Sequence, residues 1–505
     1  MKYLYDSLLE YQQTDAYPFH MPGHKRRGGQ FVNPFLIDIT EIDQFDNLHH
    51  AEGILKEAQE RAGNLYGSEE THFLVNGSTC GILSAISACT NRGGKILMAR
   101  NCHKASYHGA LLGDLEVVYV YPCPERHFGI NGGIDPEQVR ERLEEDGEIQ
   151  AVLITSPTFD GVVSNVREIA RIAHNRGVPL IVDEAHGAHF GFHPYFPASS
   201  VKQGADLVIH SLHKTLPSFT QTALLHVNGN LVDRKKLDLY LGIYQTSSPS
   251  YVLMAGMDEC IRRIEREGEQ LFSEFAKRLD IFYERVHWLN RIKVAGKRLK
   301  GEAQINDFDP SKLILSARQV GMDGNMLQQR LRRDYHLELE MAAGGYALAL
   351  TSVMDSDEGL NRLWQALLDL DGESVAQSGK GLDGESDAQN RQGLGGESDA
   401  QSRQGLNRDL RADAESVWDD TVACNLCACR ISQALEAEKR RIPLKESAGR
   451  ISGEFLYLYP PGIPLLVPGE RIETRLIERI EQYRSRGFAV QGPEDYTSTY
   501  ILTLG

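Results

Sequence analysis

The chain has 505 residues, of which 41% are hydrophobic and 25% are charged, an ordinary globular composition that excludes disorder from end to end and leaves room for about three domains. Lys and Arg number 54 against 70 Asp and Glu, a net charge of −16, which disfavours broad attraction to nucleic acid or to anionic membranes. The eight cysteines are too sparse for a disulfide scaffold, and we find neither a secretory signal nor an apolar run of about 18 residues, so we expect a cytoplasmic protein with no membrane and no nucleic-acid partner.

Apolar runs rich in β-branched residues alternate with helix-like stretches between about residues 60 and 230. Fully apolar strands separated by helices are typical of a mostly parallel sheet that is covered on both faces. The sequence therefore predicts an α/β architecture. The predicted strands are Phe73–Val75, Lys95–Met98, Leu115–Val120, Ala151–Ile154, Pro179–Val182, Asp206–Ile209 and Ala223–Leu225.

A long helical stretch, Tyr251 to Trp288, follows the predicted sheet, and a mixed segment then runs to about Asp371. From Gly372 the frame Gly-Glu-Ser-x-Ala-Gln recurs at 372, 384 and 396, a spacing of 12 residues. These units offer too little apolar surface for a solenoid, so we predict a disordered linker. The expected domains are an N-terminal arm (1–35), a major domain (36–285), a small α+β domain (286–371), the linker (372–410) and a C-terminal domain (411–505).

Two side chains follow predicted strands at positions where a cofactor can be held. Lys214, in Ser211-Leu-His-Lys-Thr, comes just after a strand, and a lysine at the carboxyl end of a parallel strand can form a Schiff base with a carbonyl cofactor. Taken alone, a surface lysine is the commoner case. Asp183 ends another buried strand, where an unpaired charge is costly, so it needs a cationic partner such as a protonated pyridinium nitrogen.

Two further loops offer contacts for an anion and for a ring. Ser78 and Thr79 follow a strand and open a helix, so their hydroxyls and the backbone N–H groups can cradle a phosphate. The plainer alternative is an ordinary N-cap. His103 follows the next strand and can stack on an aromatic ring, although a solvated loop histidine is commoner.

Together these segments resemble the fold type I pyridoxal-phosphate enzymes, and more narrowly the Orn/Lys/Arg decarboxylase family in its short form. The resemblance covers nearly the whole chain outside the repeats. The sequence departs from the family pattern at Phe159, where Tyr is frequent, at Asn47, where Asp is common, and in the repeat insert. The segments that carry the resemblance are Phe19–Lys25, Asp38–Ile42, Asp46–His49, Asn76–Gly81, Thr155–Gly161, Val182–Gly187, Ser211–Pro217, Thr246–Tyr251 and Tyr459–Leu466.

The resemblance implies an aspartate-aminotransferase-like fold, pyridoxal 5'-phosphate as cofactor, and a role for each matching residue. Lys214 would bind the cofactor covalently, Asp183 would contact the pyridine nitrogen, and His103 would stack on the ring. A segment containing Ser248 would reach the phosphate of a neighbouring subunit, which implies a homodimer or a higher even oligomer with shared sites. The remaining implied contacts are Ser78, Thr79 and Ser211 at the phosphate, Ser156 and His186 near the phenolic oxygen, and His213 beside the Schiff base.

The implied activity is decarboxylation of a basic amino acid to CO₂ and a polyamine-type amine, with arginine expected first and lysine or ornithine next. Either Lys214 or His213 would return the proton to Cα. Glu454 is one candidate for holding the distal charge of the substrate, against the alternative of a solvated glutamate. Cofactor contacts do not choose the reaction, so an aminotransferase, a carbon–sulfur lyase and a catalytically silent scaffold remain alternatives.

Several other patterns have plainer explanations. Asp183–His186 spells a helicase box, but the phosphate-binding loop that such a motor needs is missing from the sequence. The histidines 186, 189 and 193 and the cysteines 424, 427 and 429 lack the second half of a familiar zinc site, so we expect structural roles and no metal. The basic run Lys25–Arg27 is usually a solvated loop, and the resemblance places this arm near the active-site entrance.

Overall fold

The computed structural model describes residues 3–27, 31–373, 422, 424–458, 462–488 and 490–505. Its helices are α1 (Leu4–Gln12), α2 (Ile54–Tyr66), α3 (Gly77–Cys89), α4 (Lys104–Leu112), α5 (Pro136–Glu145), α6 (Val166–His174), α7 (Leu212–Thr215), α8 (Arg234–Tyr244), α9 (Tyr251–Val286), α10 (Gly324–Tyr335), α11 (Asp357–Gly372), α12 (Ile431–Glu436) and α13 (Thr474–Ser485). Its strands are β1 (Tyr17–Phe19), β2 (Glu70–Leu74), β3 (Lys95–Ala99), β4 (Glu116–Val120), β5 (Pro122–Glu125), β6 (Ile130–Ile134), β7 (Ile149–Thr155), β8 (Val162–Val163), β9 (Leu180–Asp183), β10 (Leu207–His210), β11 (Ala223–Val227), β12 (Lys293–Val294), β13 (Asp307–Phe308), β14 (Lys312–Ser316), β15 (Leu337–Leu339), β16 (Met341–Ala342), β17 (Ala347–Leu350), β18 (Lys439–Pro443), β19 (Leu456–Leu458), β20 (Pro464–Leu466), β21 (Val490–Gln491) and β22 (Tyr500–Leu504).

A seven-stranded sheet in the order β2-β11-β10-β9-β7-β3-β4 forms the centre of the major domain. Strands β10, β9, β7, β3 and β4 are parallel, whereas β11 runs antiparallel to both of its neighbours. Each strand coincides with one of the predicted apolar runs. The expected α/β architecture with a mostly parallel sheet is therefore confirmed.

Both faces of this sheet are buried, which explains why its strands are apolar throughout rather than alternating. Adjacent residues of one strand enter opposite cores: Phe73 joins the cluster formed with α2, α9 and the small domain, and Leu74 joins the cluster formed with α3 to α6 and α8. Leu224 and Leu225 divide in the same way. The sheet is consequently held rigid from both sides, and its strand ends are fixed.

The small domain and the N-terminal arm share a strand pair. Strands β12, β14, β17 and β16 form an antiparallel sheet, and β1 of the arm pairs in parallel with β15. Lys25 is buried, and its ammonium donates to the carbonyls of Pro18 (3.0 Å), His20 (2.9 Å) and Leu350 (2.7 Å). This residue of the basic run is therefore an internal anchor, whereas Arg26 and Arg27 are exposed.

Helix α11 ends at Gly372, and Glu373 pairs with Arg330 at 2.7 Å, so the described fold includes the first two residues of the predicted linker. The rest of the predicted linker lies outside the described residues. In the C-terminal domain, α13 and strands β18 to β22 enclose a cluster that includes Leu456, Ile480 and Ile501. Every helix in the described ranges is too short or too polar to cross a membrane.

Candidate active site

Five loops that follow strands β2, β3, β7, β9 and β10 meet at one edge of the central sheet. These strands run in the same direction, so their carboxyl ends lie side by side, which is where open α/β sheets bind ligands. The topology thereby brings the loops of Ser78, His103, Ser156, Asp183 and Lys214 to one edge. The sequence alone could place each residue only at the end of its own strand.

Lys214 lies in the short helix α7, and a hydrogen bond joins its Nζ to Nε2 of His186 at 2.9 Å. Burial lowers the pKa of the Lys214 ammonium, and the Asp183 carboxylate opposes this shift. Burial also lowers the pKa of His186 well below its ordinary value, and the nearby Lys214 adds to that shift. Both groups are thus biased toward their neutral forms, in which Lys214 is a nucleophilic amine.

Asp183 is the last residue of β9, in register with Thr155 of β7 and Ile209 of β10. One of its carboxylate oxygens accepts the backbone N–H of Ala185 at 3.1 Å. Burial raises the pKa of this carboxyl group, and Lys214 works against that rise. A cation close to Asp183 would stabilise the charged form of this buried carboxylate.

The two histidines beside Lys214 have fixed ring orientations. Nδ1 of His103 accepts the N–H of Ala105 at 3.2 Å, whereas Nδ1 of His213 donates to the carbonyl of Thr222 at 2.9 Å. Burial lowers the pKa of His103 to about 3 and that of His213 to about 4. Both rings are therefore neutral at physiological pH, and the proton of His103 is on Nε2.

The residues predicted to bind the phosphate, Ser78 and Thr79, lie in the first turn of α3. Its N-cap residue, Asn76, makes no side-chain capping bond, so the plain N-cap explanation of this motif has no support. Ser78 and Thr79 lie in that turn, where backbone N–H groups are free to bind an anion. Ser156, on the neighbouring loop, accepts the N–H of Ser164 through its Oγ at 3.1 Å.

Several buried polar atoms around this edge have no hydrogen-bond partner within the described residues, among them Nδ1 of His186, Oγ of Ser211 and Oγ1 of Thr215. Buried polar groups are nearly always satisfied in folded proteins, so these atoms point to a polar occupant. Together with a carboxylate at a strand end and an accessible amine, they fit pyridoxal phosphate. This fit rests on the chemistry of the residues, not on a bound group.

Two expected residues are not part of this arrangement in the described chain. Ser248 is exposed, and its N–H donates to Oγ1 of Thr246 at 3.2 Å within its own loop. Glu454 is buried, and its two oxygens accept the N–H groups of Leu502 and Glu494, both at 2.7 Å. These contacts hold Glu454 inside the C-terminal domain, so it is not a solvated surface glutamate. Its role at the distal charge of the substrate stays a prediction.

Sequence reasoning missed the charges that the small domain brings to the site. Glu340 raises the pKa of Lys214, and Lys312 lowers it. Lys312 is completely buried, with its Nζ 3.6 Å from Oδ2 of Asp309. No local pattern marks these residues, because they approach Lys214 only when the two domains pack together. Glu184 was also missed, although it neighbours Asp183 and pairs with His210 at 2.7 Å behind the site.

The histidines with metal-like spacing point to different partners. His186 contacts Lys214, and His189 pairs with Asp309 at 3.2 Å. Within the described ranges, one group of three potential metal ligands is close enough together to bind a single ion. It consists of Glu70 and His72 on β2 and Asp238 on α8. Arg234 already neutralises Glu70 of this group at 2.7 Å.

Residues 3–300 match the sequence profile of the Orn/Lys/Arg decarboxylase major domain, and residues 427–486 match the C-terminal domain of the same family. The chain belongs to the Orn/Lys/Arg decarboxylase family. The family expected from the motifs is thereby confirmed.

Relatives match along the full length of the chain. The arginine decarboxylase of Bacillus subtilis is 31% identical over 99% of this chain and 97% of its own, and the arginine decarboxylase of Bacillus anthracis is 30% identical over 98% and 95%. Among solved structures, the Francisella novicida lysine decarboxylase superposes with a TM-score of 0.74 at 18% identity, over 99% of this chain and 80% of that one. This likeness confirms the fold type I expectation.

Proposed function

We propose that this family member is a pyridoxal-phosphate-dependent decarboxylase that acts on arginine first and on lysine or ornithine next, releasing CO₂ and the corresponding amine. The observation that carries the proposal is the contact of Lys214 with His186 beside the buried Asp183 at the carboxyl edge of the sheet. Relatives named arginine decarboxylase that match over nearly their whole length support arginine as the first substrate.

Lys214 would hold the cofactor through its ε-amino group, with Asp183 at the ring nitrogen and His103 on the ring face. The phosphate would lie at the start of α3, near Ser78, Thr79 and the unpartnered hydroxyl of Ser211. When bound, the cofactor supplies an electron sink for the bond that breaks. The protein contributes orientation and the movement of protons.

Lys214 is suited to two proton tasks. Because burial lowers its pKa, Lys214 loses its proton more readily than a solvated lysine does, and the neutral amine can attack a carbonyl carbon. His186 accepts or returns a proton through the 2.9 Å contact. After CO₂ leaves, Lys214 or His213 would donate the proton to Cα. Asp183 would keep the ring nitrogen of a bound cofactor protonated, because loss of that proton would leave the buried carboxylate without a cationic partner.

A homodimer or higher even oligomer is part of the proposal. The N-terminal arm exposes a run of large apolar side chains, which in a soluble protein typically marks an interaction surface. Ser248, exposed in this chain, would complete the phosphate site of the neighbouring subunit. The exposed residues are Tyr3 (78%), Leu4 (75%), Tyr5 (71%), Leu8 (56%) and Phe35 (89%) of the arm, and Leu36 (78%) directly after it.

We also place the protein in the cytoplasm. Its cysteines, including residues 424, 427 and 429, are all free thiols, as expected in a reducing compartment.

Product analysis tests the activity. The purified protein, loaded with pyridoxal phosphate, is incubated separately with arginine, lysine, ornithine, glutamate and leucine, and both CO₂ and keto acid are measured. The proposal expects CO₂ and amine in equal amounts, with the highest kcat/KM for a basic amino acid. Keto acid as the main product would indicate an aminotransferase or a lyase, and a best substrate that is acidic or neutral would contradict the proposed specificity.

A further inference from the structure

The loop that carries His103 is anchored to the C-terminal domain through Arg100. This arginine follows β3 directly, and its side chain is completely buried. Its Nε and Nη2 donate to the two carboxylate oxygens of Glu470, each at 3.0 Å. Such a two-pronged pair fixes the guanidinium in both position and plane.

The same guanidinium joins strand β20 of the C-terminal domain to α4. Its Nη1 donates to the carbonyl of Pro464 at 2.7 Å and to Oη of Tyr107 at 3.1 Å. The Tyr107 hydroxyl in turn donates to the backbone carbonyl of Arg100 at 2.6 Å. The backbone at the start of the His103 loop is therefore fixed by a network that begins in the C-terminal domain.

The residue on the other side of His103 is held by that domain as well. The N–H of Lys104 donates to the carbonyl of Gly462 at 3.2 Å, and its ammonium lies 5.4 Å from the centre of the Tyr457 ring. His103 thus lies in a short loop with contacts to the C-terminal domain on both of its sides.

Glu470 is itself rigidly placed. Its carboxylate, 1% exposed, also accepts the side-chain amide of Asn425 at 2.9 Å and the N–H of Val467 at 3.0 Å. Each nitrogen of the Arg100 guanidinium and each carboxylate oxygen of Glu470 therefore has at least one hydrogen-bond partner. A buried ion pair contributes little net stability compared with apolar residues of the same size, so its effect is better sought in geometry.

We propose that Glu470 is a positioning residue for the cofactor: through Arg100, the C-terminal domain sets the height and tilt of the His103 ring. The inference rests on the proposed function, since it assumes that His103 contacts pyridoxal phosphate. It goes beyond that function by giving the C-terminal domain a part in the active site of the same chain.

The test compares cofactor binding in the full-length protein and in Glu470→Gln, which keeps the shape of the side chain and removes its charge. The readouts are the Kd for pyridoxal phosphate, the absorbance maximum of the bound cofactor, and kcat and KM for arginine. We expect the Kd to rise about tenfold, the maximum to shift, and kcat to fall more than KM changes. A Kd within twofold of the parent would overturn the proposal.

Asp495→Asn is the matched control for general loosening of the C-terminal domain. Asp495 accepts the N–H groups of Thr497, Thr499 and Tyr500 within that domain, at 3.1, 3.1 and 2.9 Å. The Asp495→Asn variant should have a lower Tm than the parent and the same cofactor Kd. A rise in Kd equal to that of Glu470→Gln at the same loss of Tm would reduce Glu470 to a structural role and overturn the proposal.

The double variant Arg100→Met/Glu470→Met separates folding from positioning if Glu470→Gln folds poorly. Replacing both charges by apolar side chains is expected to restore Tm, because no buried charge is left unpaired. With Arg100 replaced, its bonds to Pro464 and Tyr107 are lost together with the pair to Glu470, so the cofactor Kd should stay raised. Recovery of Kd together with Tm would overturn the proposal. A parent protein that binds no cofactor at Lys214 would instead contradict the proposed function.

Discussion

At the scale of single residues, the setting of Lys214 separates it from the other lysines that the structure describes. It is partly buried at the sheet edge, and it contacts His186 and lies near Asp183. Burial favours the neutral amine, and the negative charge of Asp183 limits how far the pKa of Lys214 falls. A surface lysine, the plainer explanation of the motif, would have neither contact.

Lys214→Ala should abolish covalent attachment of the cofactor and lower kcat by at least about a thousandfold, because the nucleophile is removed. Borohydride reduction of the loaded parent followed by peptide mass spectrometry should find the pyridoxyl group on Lys214. Lys277→Ala, a change at an exposed lysine of α9, serves as the control and should keep both the adduct and the turnover. An adduct on another lysine would contradict the assignment.

The neutral histidines of the site predict a specific loss of stability in acid. The pKa values of His103 and His213 are lowered to about 3 and about 4, and that of His186 is lowered as well. Below about pH 6.5 the unfolded chain binds protons that the folded chain excludes, so the free energy of unfolding falls as the pH falls. Each histidine adds up to about 1.4 kcal/mol per pH unit to this slope.

Chemical denaturation of the cofactor-free protein between pH 7.5 and pH 4.5 measures the slope. His103→Gln should flatten it by up to the contribution of one proton, whereas His287→Gln, at an exposed position after α9, should leave it unchanged. An identical slope in the parent and in His103→Gln would show that this histidine is protonated in the folded state.

At the scale of elements, the arm and the helix of Lys214 are in direct backbone contact. The N–H of Gly23 donates to the carbonyl of His213 at 2.7 Å. A Cβ at residue 23 would lie 2.8 Å from both N and O of Leu216. Only glycine allows the arm to approach α7 this closely, so the arm helps to fix the position of Lys214.

Gly23→Ala should therefore destabilise the protein by about 1–3 kcal/mol, the usual cost of overpacking, and should weaken cofactor binding as α7 shifts. Thermal denaturation and cofactor titration provide the two measurements. Gly147→Ala, where an added Cβ meets nothing within 4 Å, is the control and should match the parent. If Gly23→Ala were as stable as the parent and bound the cofactor equally well, the arm would not support α7.

The sheet could be predicted from the sequence because its signals are local. Each buried strand is a short apolar run, and the polar residue after it, such as Asp183 or His103, falls at the shared edge once the strands are parallel. Arg100 and Glu470, by contrast, are 370 residues apart, and neither lies in a pattern that predicts the other. The role of Lys312 could not be predicted from the sequence either, because a single lysine next to an apolar run does not indicate that its side chain is buried near Lys214.

At the scale of the whole molecule, helix α1 does not contribute to any hydrophobic core of the described chain. It is nine residues long and buries none of them. Isolated helices of this length are marginal in water, and most helices are stabilised by packing an apolar face against something else. Leu4 and Leu8, one turn apart and both exposed, provide such a face. Under the oligomer proposed above, a second copy of the chain would cover this face.

The parent protein should therefore be a dimer or a higher even oligomer by light scattering, and Leu4→Asp/Leu8→Asp should shift it toward the monomer by burying charge in the contact. Activity should fall with the loss of the dimer, because the segment containing Ser248 would no longer reach the neighbouring phosphate site. Trp288→Asp changes an equally exposed apolar residue (77%) beyond the end of α9 and should leave the mass unchanged. A monomeric parent that decarboxylates at full rate would refute the shared site, and a Leu4→Asp/Leu8→Asp oligomer as tight as the parent would place the contact elsewhere.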